Sequence, residues 1–185
     1  APFSKHSYLV KDPNQIPRVV REAFHIASTG RPGPVLIDIP IDVQGQELKS
    51  FDWPETVNIR GYKPSVRGND MQIKRVAEAI AKARQPIICA GGGVWLADAR
   101  AELLELAEGT GIPVVKTMMG ISLMSTDHPL NMGMIGAHGN FCANKALAKS
   151  DLLIMVGTRA ADRAIIQPDE IQRRIATIHI DLDPA

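Results

Sequence analysis

A chain of 185 residues with 45% hydrophobic and 22% charged side chains is soluble and globular in composition, long enough for one good core or for one domain and a piece of another. Its 21 basic and 20 acidic residues nearly cancel, which leaves no net field for nucleic acid or an acidic membrane. No apolar run approaches the ~20 residues of a membrane span, and aromatic residues at 4% are too sparse for a single-strand stacking platform. Cys89 and Cys142 lack metal-ligand spacing, so a reduced, cytoplasmic protein is expected. The opening Ala1-Pro2-Phe3-Ser4 has neither Met nor a signal pattern and reads as the middle of a larger polypeptide.

Residues 1–13 are polar and read as irregular. Asp12-Pro13-Asn14 starts a helix that runs from Asn14 to about Ser28, with Pro17 in its first turn, where a missing N–H costs nothing. Ile16, Val19, Val20, Ala23, Phe24 and Ala27 form its apolar face. Gly30-Arg31-Pro32-Gly33-Pro34 ends it, and Val35–Ile39 is a β-branched strand. That pair is too small to own a core. Residues 45–69 lack periodicity and read as a connector between domains, pinned to a surface by Trp53 and Tyr62.

From Asp70, read as a helix cap, the pattern becomes regular. A helix with Ile73, Val76, Ala77 and Ile80 on one face ends at Pro86, and a strand follows through Ile87, Ile88 and Cys89. Gly91-Gly92-Gly93 turns the chain into one helix reaching about Glu108, with Ala99, Leu103, Leu106 and Ala107 inside. Gly109 and Gly111 stop it, and Pro113–Lys116 is the next strand. A loop rich in Met, Pro and Gly extends to Gly139, and a helix buries Ala143, Ala146 and Leu147. Leu152–Val156 is a strand, a short helical piece spans about Pro168–Arg174, and Thr177–Asp181 is the last strand. Alternating strands and helices predict an α/β, Rossmann-like parallel sheet with helices on both faces.

The polar residues gather at strand ends: Gly91-Gly92-Gly93, Thr117, Gly157-Thr158-Arg159 with Asp162-Arg163, and Asp181 with Asp183. Ligands of open α/β sheets bind outside the carboxyl ends of strands, so these clusters predict one crevice. Glycine turns admit phosphates to helix N-termini, arginines pair with phosphate oxygens, and a strand-end acid suits ribose hydroxyls. The bland alternative is a structural glycine turn with arginines and aspartates paired to one another; the G-x-G-x-x-G fingerprint is absent. The histidines, His6, His25, His128, His138 and His179, show neither metal nor triad spacing. His128 reads as part of a turn, His179 as packed in its strand, and His138, between Gly136 and Gly139, as a possible ligand contact. The residues alone read as a nucleotide-binding domain without its own chemistry.

Several ordered motifs carry a resemblance. Gly30-Arg31-Pro32-Gly33-Pro34-Val35-Leu36-Ile37-Asp38-Ile39-Pro40 resembles the end of the pyrimidine-binding domain of thiamine-diphosphate enzymes. Ala90-Gly91-Gly92-Gly93, Thr117-Met118-Met119-Gly120, Gly133 to Gly139, Ser150 to Ile154 and His179-Ile180-Asp181-Leu182-Asp183 resemble their central domain. Within that family the chain is most similar to the catalytic subunits of the acetolactate (acetohydroxyacid) synthase group. The resemblance implies residues 1–44 as a remnant of the pyrimidine-binding domain, 45–69 as connector and 70–185 as a central FAD-binding-type domain. It implies FAD with no net redox part, held by Arg31, Gly92, Thr117, Met118, Gly136, His138, Gly157, Arg159, Asp162, Arg163, Asp181 and Leu182.

For the whole enzyme it implies thiamine diphosphate and Mg, 2-keto acid substrates including pyruvate, a homo-oligomer and a possible regulatory small subunit, in branched-chain amino-acid synthesis. The glutamate that activates thiamine and the segment that holds magnesium would lie outside residues 1–185, so the chain alone is expected to be inactive, with weak flavin binding. Ile41 stands where the family usually has Lys, Ala137 where it has Met, and Ala160-Ala161 where it has Phe-Asp, which opens substrate choice and flavin affinity. Another thiamine-diphosphate carboligase or decarboxylase, such as glyoxylate carboligase, and a non-catalytic nucleotide-binding module are the alternatives.

Overall fold

The computed structural model describes residues 3–159 and 173–182, and the chain divides into two units, Ala1–Arg67 and Gly68–Pro184. In the first unit, β1 (His6–Leu9) pairs in parallel with β2 (Val35–Asp38), His6 opposite Val35 and Leu9 opposite Asp38. The supposedly irregular N-terminus therefore contains a strand. Its pattern was hidden because Leu9 is its only aliphatic residue and all but Tyr8 are exposed. A 3-10 turn at Pro13–Gln15 leads into α1 (Ile16–Ser28), with Asp12 accepting from the Asn14 N–H. Helix α1 buries Pro17, Val19, Ala23 and Ile26, whereas Phe24, predicted to face inward, is exposed.

A short α2 (Ile41–Gln44) follows β2, and Val43 completes a small core with Val10 and Val19, flanked by Tyr8, Ile16, Ile37 and Ile39. The unit thus has a core of its own, though a small one. The end of α1 is held by side chains: Lys5 Nζ donates to the Ile26 and Thr29 carbonyls at 2.5 and 2.7 Å. The Tyr62 hydroxyl donates to Thr29 O at 2.8 Å, so this connector residue is anchored at a helix C-terminus. Trp53 stacks on Phe51 and lies under the Arg21 guanidinium.

The second unit begins with α3 (Asp70–Lys82), capped by Asn69, whose side chain accepts from the Met71 and Gln72 N–H groups; Asp70 is the first helical residue rather than the cap. Only the C-terminal part of α3 reaches the core, through Ala79, Ile80 and Ala83; Ile73 and Ala77, assigned inward from periodicity, are exposed. Strand β3 (Pro86–Ala90) leads to α4 (Gly92–Leu96) and α5 (Arg100–Thr110). The single predicted helix is two, because Asp98 adopts a left-handed conformation at φ 52°. Helix α5 carries Gly109 within it and stops at Gly111, at φ 70°.

Strand β4 (Val114–Lys116) is followed by a 3-10 turn at Met118–Gly120. Within the predicted long loop lies β5 (Asn131–Met134), a half-buried strand of mixed polarity that periodicity alone does not reveal. Helix α6 (Phe141–Lys149), β6 (Leu152–Val156) and β7 (Ala176–Ile180) complete the sheet. Most of the predicted helical piece at 168–174 falls outside the described residues.

The strand order is β5-β4-β3-β6-β7, every pairing parallel. Alternate residues of each strand face opposite layers. Ile88, Ala90, Val114, Leu152 and Ile154 pack with Val94, Leu103 and Ala107. Ile87, Cys89, Val115, Leu153 and Met155 pack with Ala143, Leu147 and Ile135. Burial on both faces is why the central strands read as unbroken apolar runs. Each fully buried Ile or Leu contributes about 1.5–3 kcal/mol.

The two thiols differ sharply. Cys89 is fully buried in the central strand, and burial pushes its pKa up to about 12, whereas Cys142 is exposed on α6. A thiol-reactive probe at neutral pH is therefore expected to modify Cys142 quickly and Cys89 only on unfolding. Intact-mass analysis with and without urea reads this directly, and rapid double labelling of folded protein would contradict the assigned packing.

Candidate functional site

Because the five strands described in the second unit all run parallel, the loops that leave their carboxyl ends lie along one edge. Across it stand Gly136 and His138 after β5, Thr117 and Met118 after β4, Gly92 after β3, Gly157 and Arg159 after β6, and Asp181 and Leu182 after β7. The order of connection reverses between β3 and β6, the position where open α/β sheets form their ligand crevice. Arg31 belongs to the first unit, in the turn between α1 and β2. Asp162 and Arg163 lie outside the described residues.

Where the β3 and β6 exits meet, backbone packs on backbone. Gly93 N–H donates to Gly157 O at 2.8 Å, and Gly91 N–H to Val156 O at 3.0 Å. A Cβ at Gly91 would sit 2.5 Å from Gly157 O, one at Gly93 would sit 2.6 Å from Gly157 Cα, and one at Gly157 would sit 2.7 Å from Gly93 C. Gly157 also needs its glycine for φ 56°. Gly91, Gly93 and Gly157 are thus explained by the meeting of the β3 and β6 exits. Gly92 differs: its Cβ would meet the Met119 side chain at 3.0 Å and the Met119 carbonyl only at 3.7 Å, an ordinary contact distance.

Around this contact, side chains fix the loops. Lys116 is 3% exposed, and its Nζ donates to Ile121 O at 2.8 Å and Met124 O at 3.2 Å. Burial holds its pKa below the ordinary lysine value. Arg100 Nε donates to Leu123 O at 2.8 Å, so two cations from different elements hold the loop carrying Met118 and Met119. Both methionines remain 72% exposed, giving the edge an apolar wall. His128 accepts the Leu130 N–H at Nδ1, so its Nε2 donates to Glu108 at 3.1 Å; its role is to tie this loop to α5.

On the β6–β7 side, His179 Nε2 lies 2.8 Å from Thr158 O, and a carbonyl can only accept, so that nitrogen carries the proton. The same nitrogen is 3.6 Å from the Asp181 carboxylate. His179 is therefore not simply packed, as alternation suggested, but joins two strand exits. On the β5 side, the Asn144 carboxamide accepts from Gly136 N–H at 2.9 Å and donates to Gly136 O at 3.0 Å. Asn140 accepts the Met134 N–H at 3.0 Å, and its own N–H donates to Met134 O at 2.7 Å. His138 is exposed on the turn so formed.

Sequence reasoning placed the candidate residues at strand carboxyl ends but missed Lys116, Asn140, Asn144 and His179 as supports of the loops there. The available signal was polar side chains at otherwise apolar positions: a lysine closing Val114-Val115, and asparagines one turn apart at the start of α6. Among the described residues no three His, Cys, Asp or Glu side chains cluster as a metal site, and no helix is long and apolar enough to cross a membrane.

Comparison with known proteins agrees with this architecture. The model of the family described as thiamine pyrophosphate enzyme, central domain, matches residues 73–185. The acetolactate synthase large subunit of Corynebacterium glutamicum is 47% identical over 184 residues, covering 100% of this chain and 29% of that protein. The acetolactate synthase large subunit IlvB1 of Mycobacterium tuberculosis is 48% identical over 185 residues, covering 30% of its length. A probable acetolactate synthase large subunit of Methanocaldococcus jannaschii is 46% identical over 186 residues, covering 32%. The chain thus spans less than a third of the curated relatives it matches.

Two stability predictions follow from the geometry. Gly157→Ala combines a left-handed φ with backbone overlap and is expected to cost about 3 kcal/mol. Gly109→Ala, with nothing within 4 Å of the added carbon, should instead stabilise α5 by about 0.5–1 kcal/mol. Urea midpoints of both variants check this, and equal effects would refute the close approach at Gly157.

For Lys116 the folded pKa lies below the unfolded value of ~10.4, so within that window the unfolded chain binds more protons and stability rises with pH. The urea midpoint of the parent protein should therefore gain on that of Lys116→Met between pH 7 and 10. A constant difference across that range would show that Lys116 carries no burial penalty.

Proposed function

The chain belongs to the thiamine pyrophosphate enzymes, where it matches the central domain, and from this we propose that it is the flavin-nucleotide-holding part of an acetolactate synthase large subunit. The observation that carries the proposal is the gathering of Gly92, Thr117, Met118, Gly136, His138, Gly157, Arg159, Asp181 and Leu182 on one carboxyl edge. These residues fit FAD. The Asp181 carboxylate suits ribose hydroxyls, the exposed Arg159 suits pyrophosphate oxygens, and Met118 and Leu182 offer apolar walls to a flat ring. Arg31, Asp162 and Arg163 join the candidate set on the family resemblance alone.

In the whole subunit, thiamine diphosphate with Mg supplies the chemistry for decarboxylating pyruvate and joining the two-carbon unit to a second 2-keto acid. No residue of this chain is assigned to either. The chain's own part is to orient the flavin. Residues 1–44 are read as the end of the pyrimidine-binding domain, 45–69 as connector and 70–185 as the central domain. A cytoplasmic homo-oligomer with a regulatory small subunit completes the proposal; the printed name "large subunit" of the relatives supports that second chain.

Titration of the chain with FAD, followed by flavin fluorescence and thermal shift, tests the reading. Saturable binding with a raised Tm is expected, since a ligand at 100 times its Kd stabilises by about 2.7 kcal/mol. Fluorescence that never saturates, with an unmoved Tm, would overturn the flavin assignment. The chain alone should consume no pyruvate, and turnover by residues 1–185 would overturn the assignment of thiamine chemistry elsewhere.

A further inference from the structure

The turn between β5 and α6 is where side-chain chemistry most clearly departs from what the helix would use for itself. Residues 133–139 contain Gly133, Gly136 and Gly139, and Gly136 stands at φ 103°. Glycine loses more conformational freedom on ordering than any other residue, so such a turn left to itself would be loose. It is not left to itself. Asn140, the N-cap residue of α6, makes no side-chain bond to its own helix, although asparagine is among the preferred caps. Its carboxamide instead accepts the Met134 N–H. One helical turn later, Asn144 closes a two-bond ring on Gly136, taking both the N–H and the C=O of that one residue. The helix start thus gives up a cap, and two polar side chains go to fixing the shape of a short turn at the crevice edge. A local rule broken at one place with a definite geometric gain is the mark of a functional or strained site.

We infer that Asn144 is a positioning residue for the nucleotide: its carboxamide orders the Gly136–His138 turn before the ligand arrives, so that binding does not have to supply that order. The inference rests on the flavin reading above. A preordered loop raises affinity by removing an ordering cost from the binding step. The carboxamide is suited to this because one planar group donates and accepts at once. An aspartate of the same shape keeps the acceptor for the Gly136 N–H but sets a carboxylate oxygen against the Gly136 carbonyl, and alanine loses both bonds.

The test compares the parent chain with Asn144→Ala and Asn144→Asp in FAD titrations, thermal melts and amide hydrogen exchange by NMR. In Asn144→Ala, FAD affinity is expected to fall about tenfold or more, and the Gly136 amide to lose protection while amides of β3 and β6 keep theirs. Asn144→Asp should lie between the two, retaining part of the Gly136 protection. A lowered Tm with unchanged FAD affinity in the folded protein would make Asn144 merely structural and overturn the inference. Should the parent chain itself fail to saturate with FAD, the flavin reading falls separately. The Gly136 amide still decides what Asn144 does: unchanged protection in Asn144→Ala overturns its hold on the turn, and selective loss sustains it.

Discussion

The second unit depends on one contact, the place where the exits of β3 and β6 meet without side chains between them. Gly91 and Gly93 lie against Gly157 and Thr158, and the hydrogen bond from Gly93 N–H to Gly157 O joins the two turns. In open parallel sheets, ligand crevices form outside the strand carboxyl ends where the order of connection reverses, and β3 and β6 are the strands at that point here. Their exits meet backbone to backbone. Any Cβ at Gly91, Gly93 or Gly157 would push the turns apart and disturb the pairing of Ala90 with Val156 just below. The absence of a Cβ at these three positions is what lets the two turns meet.

Burial explains what was legible in the sequence. Central strands β3 and β6 are buried on both faces, so their residues had to be apolar throughout, and such runs are visible in any window. Strands β1 and β5 were invisible because they are short and partly exposed, and β5 mixes Asn131 and Gly133 with methionines. The helix break at Asp98 turns on a single backbone angle that no periodicity records. Phe24 and Ile73 show the opposite failure: a helical pattern assigns a face, but only tertiary packing decides how much of that face is covered.

The candidate site was legible at the level of strand ends and illegible at the level of support. A glycine or aspartate after a strand announces itself because the type is unusual there. Lys116 and Asn144 stand out only as polar residues in apolar surroundings, and like His179 they show no role in the sequence, since each acts through a carbonyl or amide whose position exists only in the folded chain. Their common task is physical. Loops leaving a parallel sheet carry backbone groups that no neighbouring strand can satisfy, and near a crevice those groups are partly shielded from water. Long side chains rooted in strands and helices reach out to pair them.

The same reasoning separates the departures from the family pattern. Ile41, where the family resemblance sets lysine, opens α2 and is 86% exposed. Ala137 is exposed beside His138, so its small size leaves the backbone of that turn unchanged: Gly136 is still fixed by Asn144, and Asn140 still closes on Met134. A larger side chain at residue 137 would therefore change the outward surface of the turn and not the bonds that build it. Shape is secured by asparagines anchored in α6, which leaves the outward-facing residues free to vary without unfolding the edge they stand on.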